Sequence, residues 1–197
     1  SRPSWCLNMM TAKKLNFGNI MGHVTNVTNL SSLASWTADQ FDPTLTWEDI
    51  AWIKDRWKGK LILKGIMDSE DAMLAVKAGA DAIIISNHGG RQLDGAPSTI
   101  SVLPEIVDAV NSKVEVHFDG GVRSGQDVLK ALALGADCIH IGRPYVYGLG
   151  AKGQKGVEIA IDIIKKELDL TMAMCGETNI SNVGLHNLHH NPFKIIN

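Results

Sequence analysis

The 197-residue sequence has few features that would place the protein outside a cell, within a membrane or on nucleic acid. Its three cysteines, Cys6, Cys138 and Cys175, are too widely spaced for a disulfide framework or a paired metal site. No apolar run approaches the about 20 residues that span a bilayer, and no signal-peptide layout is present. A net charge of −2 gives no positive excess for nucleic acid. These absences predict a protein of a reducing compartment that binds neither metal nor nucleic acid.

From Trp47 onward the sequence alternates between the hydrophobic period of strands and that of helices. A first helix starts at Trp47, with Thr46 as its N-cap. The pattern then predicts strands at 61–66, 82–86, 114–119 and 138–141, and helices at 69–78, 99–110, 124–134 and 157–168. Four strand–helix units in series are typical of parallel strands with right-handed crossovers. The sequence therefore predicts an α/β fold.

Two of these units share an internal repeat, in which Gly79-Ala80-Asp81 at the end of one helix returns as Gly135-Ala136-Asp137. Equivalent units favour a repeating barrel over an open sheet. Because a closed barrel needs eight units, we expect the chain to be a fragment, the C-terminal half of a TIM (β/α)8 barrel. Residues outside this chain, or a second copy, would supply the rest. The predicted divisions are a long connecting loop region at 1–45, the barrel half at 46–170 and a C-terminal tail at 171–197.

All four predicted strands end in polar or glycine-rich segments, where barrels of this kind bind ligands. The segments are Lys64-Gly65, Ser86-Asn87-His88-Gly89-Gly90-Arg91, Asp119-Gly120-Gly121-Val122-Arg123 and Gly142-Arg143-Pro144. A histidine between a buried strand and flexible glycines can act as a base near neutral pH, and Arg91 can hold a carboxylate with two hydrogen bonds. We therefore interpret His88 as catalytic and Arg91 as carboxylate-binding. The alternatives are a structural histidine and, for Lys64, a salt-bridged lysine at a strand end.

Two glycine–arginine turns predict a phosphate-binding end. Gly120-Gly121 precedes Arg123, and Gly142 precedes Arg143. Glycines let backbone N–H groups approach phosphate oxygens, helix N-termini favour anions, and loops after the last two strands are the usual phosphate position in such barrels. Neither turn has the Gly-x-Gly-x-x-Gly dinucleotide pattern.

The remaining histidines have structural interpretations. His117 and His140 lie within predicted strands, and one is interpreted as a packed or hydrogen-bonded core residue. His186, His189 and His190 cluster near the C-terminus, but no cysteine or carboxylate at ligand spacing accompanies them.

Together the four strand-end segments resemble the FMN-dependent 2-hydroxy acid dehydrogenases and oxidases, a family of the L-lactate dehydrogenase, glycolate oxidase and mandelate dehydrogenase type. The most specific match is SNHGGRQLD at 86–94. FDPTLTW at 41–47 is similar to the family's return from its long loop into the barrel. The resemblance extends from about Arg2 to about Asn182 and includes all four units.

The resemblance implies FMN as the cofactor and a role for each site residue. His88 would be the base that takes a proton from the substrate, and Arg91 would hold the substrate carboxylate, so both would bind substrate. Lys64 would stabilise the anionic reduced flavin. The implied cofactor-binding residues are Lys64, Ser86, Asp119, Gly120, Gly121, Val122, Arg123, Gly142 and Arg143. The family's substrate-contacting tyrosines, and the aspartate that pairs with its catalytic histidine, would lie outside this chain.

The implied reaction is the FMN-dependent oxidation of an L-2-hydroxy acid, L-lactate first, with a quinone, a cytochrome or O2 as electron acceptor. One alternative is a glycolate oxidase-like enzyme that uses O2. Another is a phosphate-binding barrel without flavin, an isomerase or aldolase in which Lys64 does carbonyl chemistry, and a third is a non-catalytic remnant. Family analogy implies a homo-oligomer, a tetramer, in the cytoplasm, with peripheral attachment to the inner membrane as the alternative location. We also expect this half alone neither to hold FMN tightly nor to turn over.

Overall fold

The computed structural model describes residues 3–12, 20, 24, 27 and 30–189. The chain divides into two compact units, Ser1–Thr46 and Trp47–Asn197. The first unit contains helix α1, Pro3–Thr11, and helix α2, Leu30–Asp39.

Helix α2 lies in a stretch that the sequence analysis treats as loop. It consists mainly of small and polar residues, which favour turns when no other information is available. In the structure Leu33 is buried, and the Thr37 hydroxyl donates to the Leu33 carbonyl oxygen at 2.8 Å, within the helix. A helix can therefore form here although its sequence shows no clear apolar face, because Leu33 is buried and the Thr37 hydroxyl bonds within the helix. The limits proposed for the loop region and the tail stay a prediction.

The second unit alternates strands and helices along the whole of its length. Its elements are α3 (Trp47–Arg56), β1 (Ile62–Ile66), α4 (Ser69–Lys77), β2 (Ala82–Ile85), α5 (Thr99–Val110), β3 (Glu115–Phe118), α6 (Gly125–Ala133), β4 (Cys138–Ile139), α7 (Arg143–Lys152) and α8 (Gln154–Met174). Two short 3₁₀ helices follow, Ile180–Asn182 and Leu185–Asn187. The strands form one parallel sheet in the order β1-β2-β3-β4. The predicted α/β fold is confirmed.

Helix α7 is absent from the predictions, which treat Gly142-Arg143-Pro144 only as a turn. Two glycines inside the helix, Gly148 and Gly150, lower its intrinsic propensity. Packing offsets this loss, because Gly148 lies directly against Gly156 of α8. Helix α8 itself runs to Met174, beyond the predicted helix at 157–168.

The two faces of the sheet have different roles. Ile83, Ile85, Val116 and Phe118 are at most 3% exposed and belong to one apolar core with residues of α4, α5, α6 and α8. Side chains alternate between faces along a strand, so the residues between them lie on the opposite face. Strand pairing aligns Lys64, Ile84, His117 and Cys138 across that opposite face.

The repeated Gly-Ala-Asp triplets fix where two strands begin. The Asp81 N–H donates to the Leu61 carbonyl oxygen at 2.8 Å, and the Leu61 N–H donates to Asp81 Oδ2 at 2.9 Å. Asp137 and Val116 form the same pair of bonds, both at 2.8 Å. Each aspartate therefore joins the start of its own strand to the start of the preceding neighbour. In the described part of the chain, no helix is long and apolar enough to cross a membrane.

Candidate active site

A cavity of about 490 Å³ lies at the carboxyl ends of the four strands. This volume is in the range of small-molecule sites. Its walls contain Lys64, His88, Gly89, Arg91, Asp119, Gly120, Gly121, Val122, Arg123, His140, Ile141, Gly142, Arg143, Pro144, Tyr145, Val146 and Tyr147. The structure thus brings residues of all four predicted strand-end segments to one cavity.

Lys64, Ser86 and Asp119 form a closed network at the floor of this cavity. Lys64 Nζ lies 2.8 Å from Asp119 Oδ2 and donates to Ser86 Oγ at 2.6 Å, and Ser86 Oγ donates to Asp119 Oδ1 at 2.6 Å. The register of the sheet explains why these residues meet. Lys64 is aligned with Ile84, and Ile84 with His117. Ser86 and Asp119 lie two residues after Ile84 and His117, on the same face. Lys64 is therefore an ion-paired lysine that also lines the cavity.

Ser86 is the buried member of this network. It is 3% exposed and does not line the cavity. Its hydroxyl oxygen also accepts the His88 backbone N–H at 3.2 Å. Ser86 thereby connects the Lys64–Asp119 pair to the start of the histidine loop, and its predicted contact with a cofactor stays a prediction.

The loop that carries His88 is held in an unusual backbone conformation. His88, Gly89 and Gly90 have φ values of 60°, 68° and 70°, in the left-handed region that non-glycine residues rarely adopt. Asn87 Oδ1 accepts the Gly89 N–H at 3.1 Å, and Asn87 Nδ2 donates to the Pro97 carbonyl oxygen at 3.1 Å. These bonds place His88 on the cavity wall, where Arg91 of the same loop also lies.

One end of the cavity, lined by the two glycine–arginine turns, has the geometry of an anion site. Gly120 and Gly121 have φ values of 102° and 79°, and a Cβ on Gly120 would lie 2.6 Å from Thr99 Oγ1. Only glycine fits such a turn. Helix α7 begins directly after Gly142, and its N-terminal N–H groups favour negative charge. The side chains of Arg123 and Arg143 add two positive charges to this end of the cavity.

Arg143 connects the two ends of the cavity. Its guanidinium donates to the carbonyl oxygen of Gly89, in the histidine loop, at 2.8 Å. A side chain on Gly89 would contact the same guanidinium, at 3.5 Å.

The two strand histidines differ in position, and His140 is a cavity residue that the sequence analysis did not predict. His117 is 8% exposed, as a core residue would be, but His140 is only partly buried and lines the cavity. His140 Nε2 lies 3.1 Å from His117 Nδ1. Burial, together with the neighbouring His117, lowers the pKa of His140, so its imidazole is neutral at neutral pH. The sequence contains a signal for His140. Residues two apart along a strand lie on the same face, and His140 precedes Gly142 of the Gly142-Arg143 turn by two residues.

Tyr145 and Tyr147 were also missed as cavity residues. Both belong to α7, which the sequence analysis did not predict. Of the C-terminal histidines, His186 Nε2 lies 2.7 Å from Glu177 Oε1, and His190 lies outside the described residues.

Comparison with known proteins gives results of three kinds. Residues 1–190 match the profile of a family described as FMN-dependent dehydrogenase. An L-lactate dehydrogenase of Vibrio cholerae serotype O1 (strain M66-2) is 43% identical over 189 residues, which are 95% of this chain and 50% of that protein. The chain therefore spans about half the length of the curated relatives it matches.

Two solved structures show similar backbones. A mandelate oxidase crystallised with (S)-4-hydroxymandelic acid is 45% identical with a TM-score of 0.74, over 78% of this chain and 43% of that one. The monotopic membrane protein (S)-mandelate dehydrogenase is 35% identical with a TM-score of 0.84, over 96% of this chain and 50% of that one.

Proposed function

We propose, from the premise that this chain belongs to the FMN-dependent dehydrogenase family, that it supplies half of the active site of an enzyme that oxidises L-lactate. The observation that carries the proposal is the meeting of a base, His88, and a carboxylate-binding group, Arg91, on the wall of one cavity. The likeness to an L-lactate dehydrogenase supports lactate as the substrate. The activity belongs to the complete protein, since this chain spans about half of such relatives.

The residues of the cavity fit FMN. Arg123, Arg143, the glycine turn at Gly120-Gly121 and the start of α7 supply the cations and N–H groups that hold a phosphate. Lys64 supplies a positive charge, fixed by Asp119, for the anionic flavin. When bound, FMN supplies the two-electron redox chemistry.

The roles of the two loop residues follow from their chemistry. Arg91 holds the substrate carboxylate with a planar pair of N–H groups and so fixes the orientation of the α-carbon. His88 takes a proton from the substrate, which an imidazole can do near neutral pH. Their common loop is held by Ser86, Asn87 and Arg143, so both side chains start from fixed backbone positions.

A 2-hydroxy acid oxidase that uses O2 and takes aromatic substrates is the second candidate. The 45% identity to a mandelate oxidase favours it. As a dehydrogenase the enzyme would instead pass electrons to a quinone or a cytochrome. The likeness to a monotopic membrane dehydrogenase supports a quinone acceptor and peripheral attachment to the membrane. The cytoplasmic side is the location that we propose for the site. A homo-oligomer, a tetramer by family analogy, completes the proposal.

Steady-state assays of the complete protein test the proposal. L-lactate, glycolate and mandelate are compared as substrates, with O2 and a quinone analogue as acceptors. His88→Asn is the informative variant, because asparagine tolerates the left-handed backbone that His88 adopts. We expect it to lower kcat by about 10²- to 10⁴-fold while the protein keeps its visible flavin absorbance. Arg91→Lys should raise KM for the acid, because lysine lacks the planar pair of donors.

The control is His186→Asn, which changes a histidine that is bonded to Glu177 and does not line the cavity. Unchanged kcat in His88→Asn would contradict the role of His88 as a base. Full turnover without bound flavin would contradict the proposal as a whole.

A further inference from the structure

Three potential metal ligands meet on the cavity-side face of the sheet. His117 of β3 and Cys138 of β4 are aligned by strand pairing, and His140 follows Cys138 by two residues on the same face. One ligand atom from each residue lies within 4.8 Å of the other two. In the part of the chain that the structure describes, no other three histidine, cysteine or carboxylate side chains are grouped in this way.

We propose that His117, Cys138 and His140 bind a borderline transition-metal cation, with Zn²⁺ as the representative ion. Two imidazole nitrogens and a thiolate are ligands that Zn²⁺ prefers, whereas Mg²⁺ and Ca²⁺ prefer oxygen. Spacing along the chain does not reveal this site, because the ligands are brought together by strand pairing and alternation rather than by a short sequence motif.

The distances are close to those that a metal needs. Tetrahedral Zn²⁺ with Zn–N of about 2.0–2.1 Å and Zn–S of about 2.3 Å places its nitrogen ligands roughly 3.3 Å apart and its nitrogen and sulfur roughly 3.6 Å apart. His117 Nδ1 and His140 Nε2 are 3.1 Å apart. The Cys138 sulfur lies within 4.8 Å of both nitrogens, so the proposal requires it to move closer to them by about 1 Å when a metal binds.

A carboxylate orients one of the ligands. Glu115 Oε2 lies 3.1 Å from His117 Nε2, and Nδ1 of the same ring lies 3.1 Å from His140 Nε2. Metal-binding histidines usually bond a carboxylate or carbonyl through their second nitrogen in this way. Glu115 is thus a positioning residue for His117.

The local charges also suit a divalent cation. A Cys138 thiolate and the Glu115 carboxylate together balance its two positive charges. Lys64, a cation on the same face of the sheet, is already paired with Asp119 at 2.8 Å. Since His140 lines the cavity, the fourth coordination position is open to a water molecule or an anion from that side.

None of the three ligands has a role in the proposed oxidation, although His140 lines the same cavity. It is tested on the full 197-residue chain with Co²⁺ as a spectroscopic probe and Zn²⁺ as a competitor. The starting variant is Cys6→Ser/Cys175→Ser, which removes the two exposed thiols and keeps Cys138. We expect one Co²⁺ per chain, with thiolate-to-cobalt charge-transfer absorption that Zn²⁺ abolishes.

Further substitutions in that variant identify the ligands. Cys138→Ser should remove the charge-transfer band, and His140→Asn should weaken Zn²⁺ binding by at least about 10- to 100-fold. His186→Asn/His189→Asn should leave binding unchanged, because these residues belong to the C-terminal cluster. Failure of the starting variant to bind either metal, or equal binding after Cys138→Ser and His140→Asn, would overturn the proposal.

Glu115→Gln keeps the test decisive if a ligand variant fails to fold, as judged by circular dichroism. Glu115 is 71% exposed in its side chain, so its replacement should leave the fold intact. We expect Zn²⁺ binding to weaken about tenfold in this variant. Unchanged affinity there, with loss of binding only in unfolded ligand variants, would also overturn the proposal.

Discussion

Asp81 is a single residue with several interactions that affect stability. Its carboxylate accepts the Leu61 N–H and pairs with both Lys54 and Lys60. Lys54, then the Leu61 N–H, then Lys60 hold the pKa of Asp81 well below its ordinary value of 3.8. A carboxyl group with a lowered pKa in the folded state stabilises that state while ionised. Asp81 therefore contributes stability that is fully present above pH 3.8 and is lost as the pH falls further.

Asp81→Asn should consequently destabilise the chain in a pH-dependent manner. We expect a lower free energy of unfolding than wild type at pH 7, and a difference that shrinks once the pH falls below 3.8. Urea unfolding across this pH range measures the difference. Asp55→Asn is the control, because Asp55 is 82% exposed in its side chain and its contact with Lys58 is 3.6 Å long. A difference for Asp81→Asn that stays constant to pH 2 would contradict this role.

At the scale of elements, the crossing of α7 and α8 depends on two glycines. Gly148 and Gly156 face each other so closely that a Cβ on either would overlap the backbone of the other helix. Their contact allows a helix of low intrinsic propensity to pack beside α8, and α7 in turn places Tyr145, Tyr147 and its own N-terminus at the cavity.

Gly148→Ala should therefore destabilise the chain, by about 1–3 kcal/mol or more, because the helices must separate to admit the methyl group. Gly150→Ala in the same helix is the matched control, since a Cβ there meets nothing within 4 Å. Its expected effect is neutral or stabilising by up to about 1 kcal/mol, from improved helix propensity. Thermal or urea unfolding of both variants gives the comparison. Equal effects of the two substitutions would show that the crossing is not tightly packed.

The sequence predicted those elements whose signal is local. Hydrophobic stretches such as Ile83–Ile85, together with the helix-ending glycines, were sufficient to predict the four strands and the helices α4, α5 and α6. Helix α7 could not be predicted, because its stability comes from the contact between Gly148 and Gly156, which lie on different elements.

The same distinction holds for the candidate site. His88, Arg91 and the glycine–arginine turns could be located because strand ends of a barrel gather at one side. The buried position of Ser86 and the approach of His140 to His117 depend on strand register, which periodicity alone does not determine.

At the scale of the whole molecule, the sheet of the described residues ends at β1 on one side and β4 on the other. Relatives of about twice the length of this chain contain the same half together with another. A small-molecule site usually buries most of its ligand's surface, and here only one half contributes walls.

We therefore expect the 197-residue chain alone to bind FMN at least about 100-fold more weakly than the complete protein, the loss of roughly 2.7 kcal/mol of contacts. Quenching of FMN fluorescence on titration with each protein measures this difference. Riboflavin, which lacks the phosphate, is the matched ligand control. If Arg123 and Arg143 hold the phosphate, the chain should bind riboflavin more weakly than it binds FMN. Equal FMN affinities of chain and complete protein would contradict the expectation.

The hydrogen bond from Arg143 to Gly89 has a consequence for how the two ends of the cavity communicate. A guanidinium has five N–H donors, so Arg143 can hold an anion with some while another keeps the Gly89 carbonyl oxygen. An anion that immobilises this side chain also restrains the loop of His88 and Arg91. Linkage between two sites is reciprocal, so a ligand that orders the loop strengthens anion binding by the same factor. We therefore expect an anion bound at Arg143 to favour ligand binding at the loop of His88 and Arg91, and the reverse.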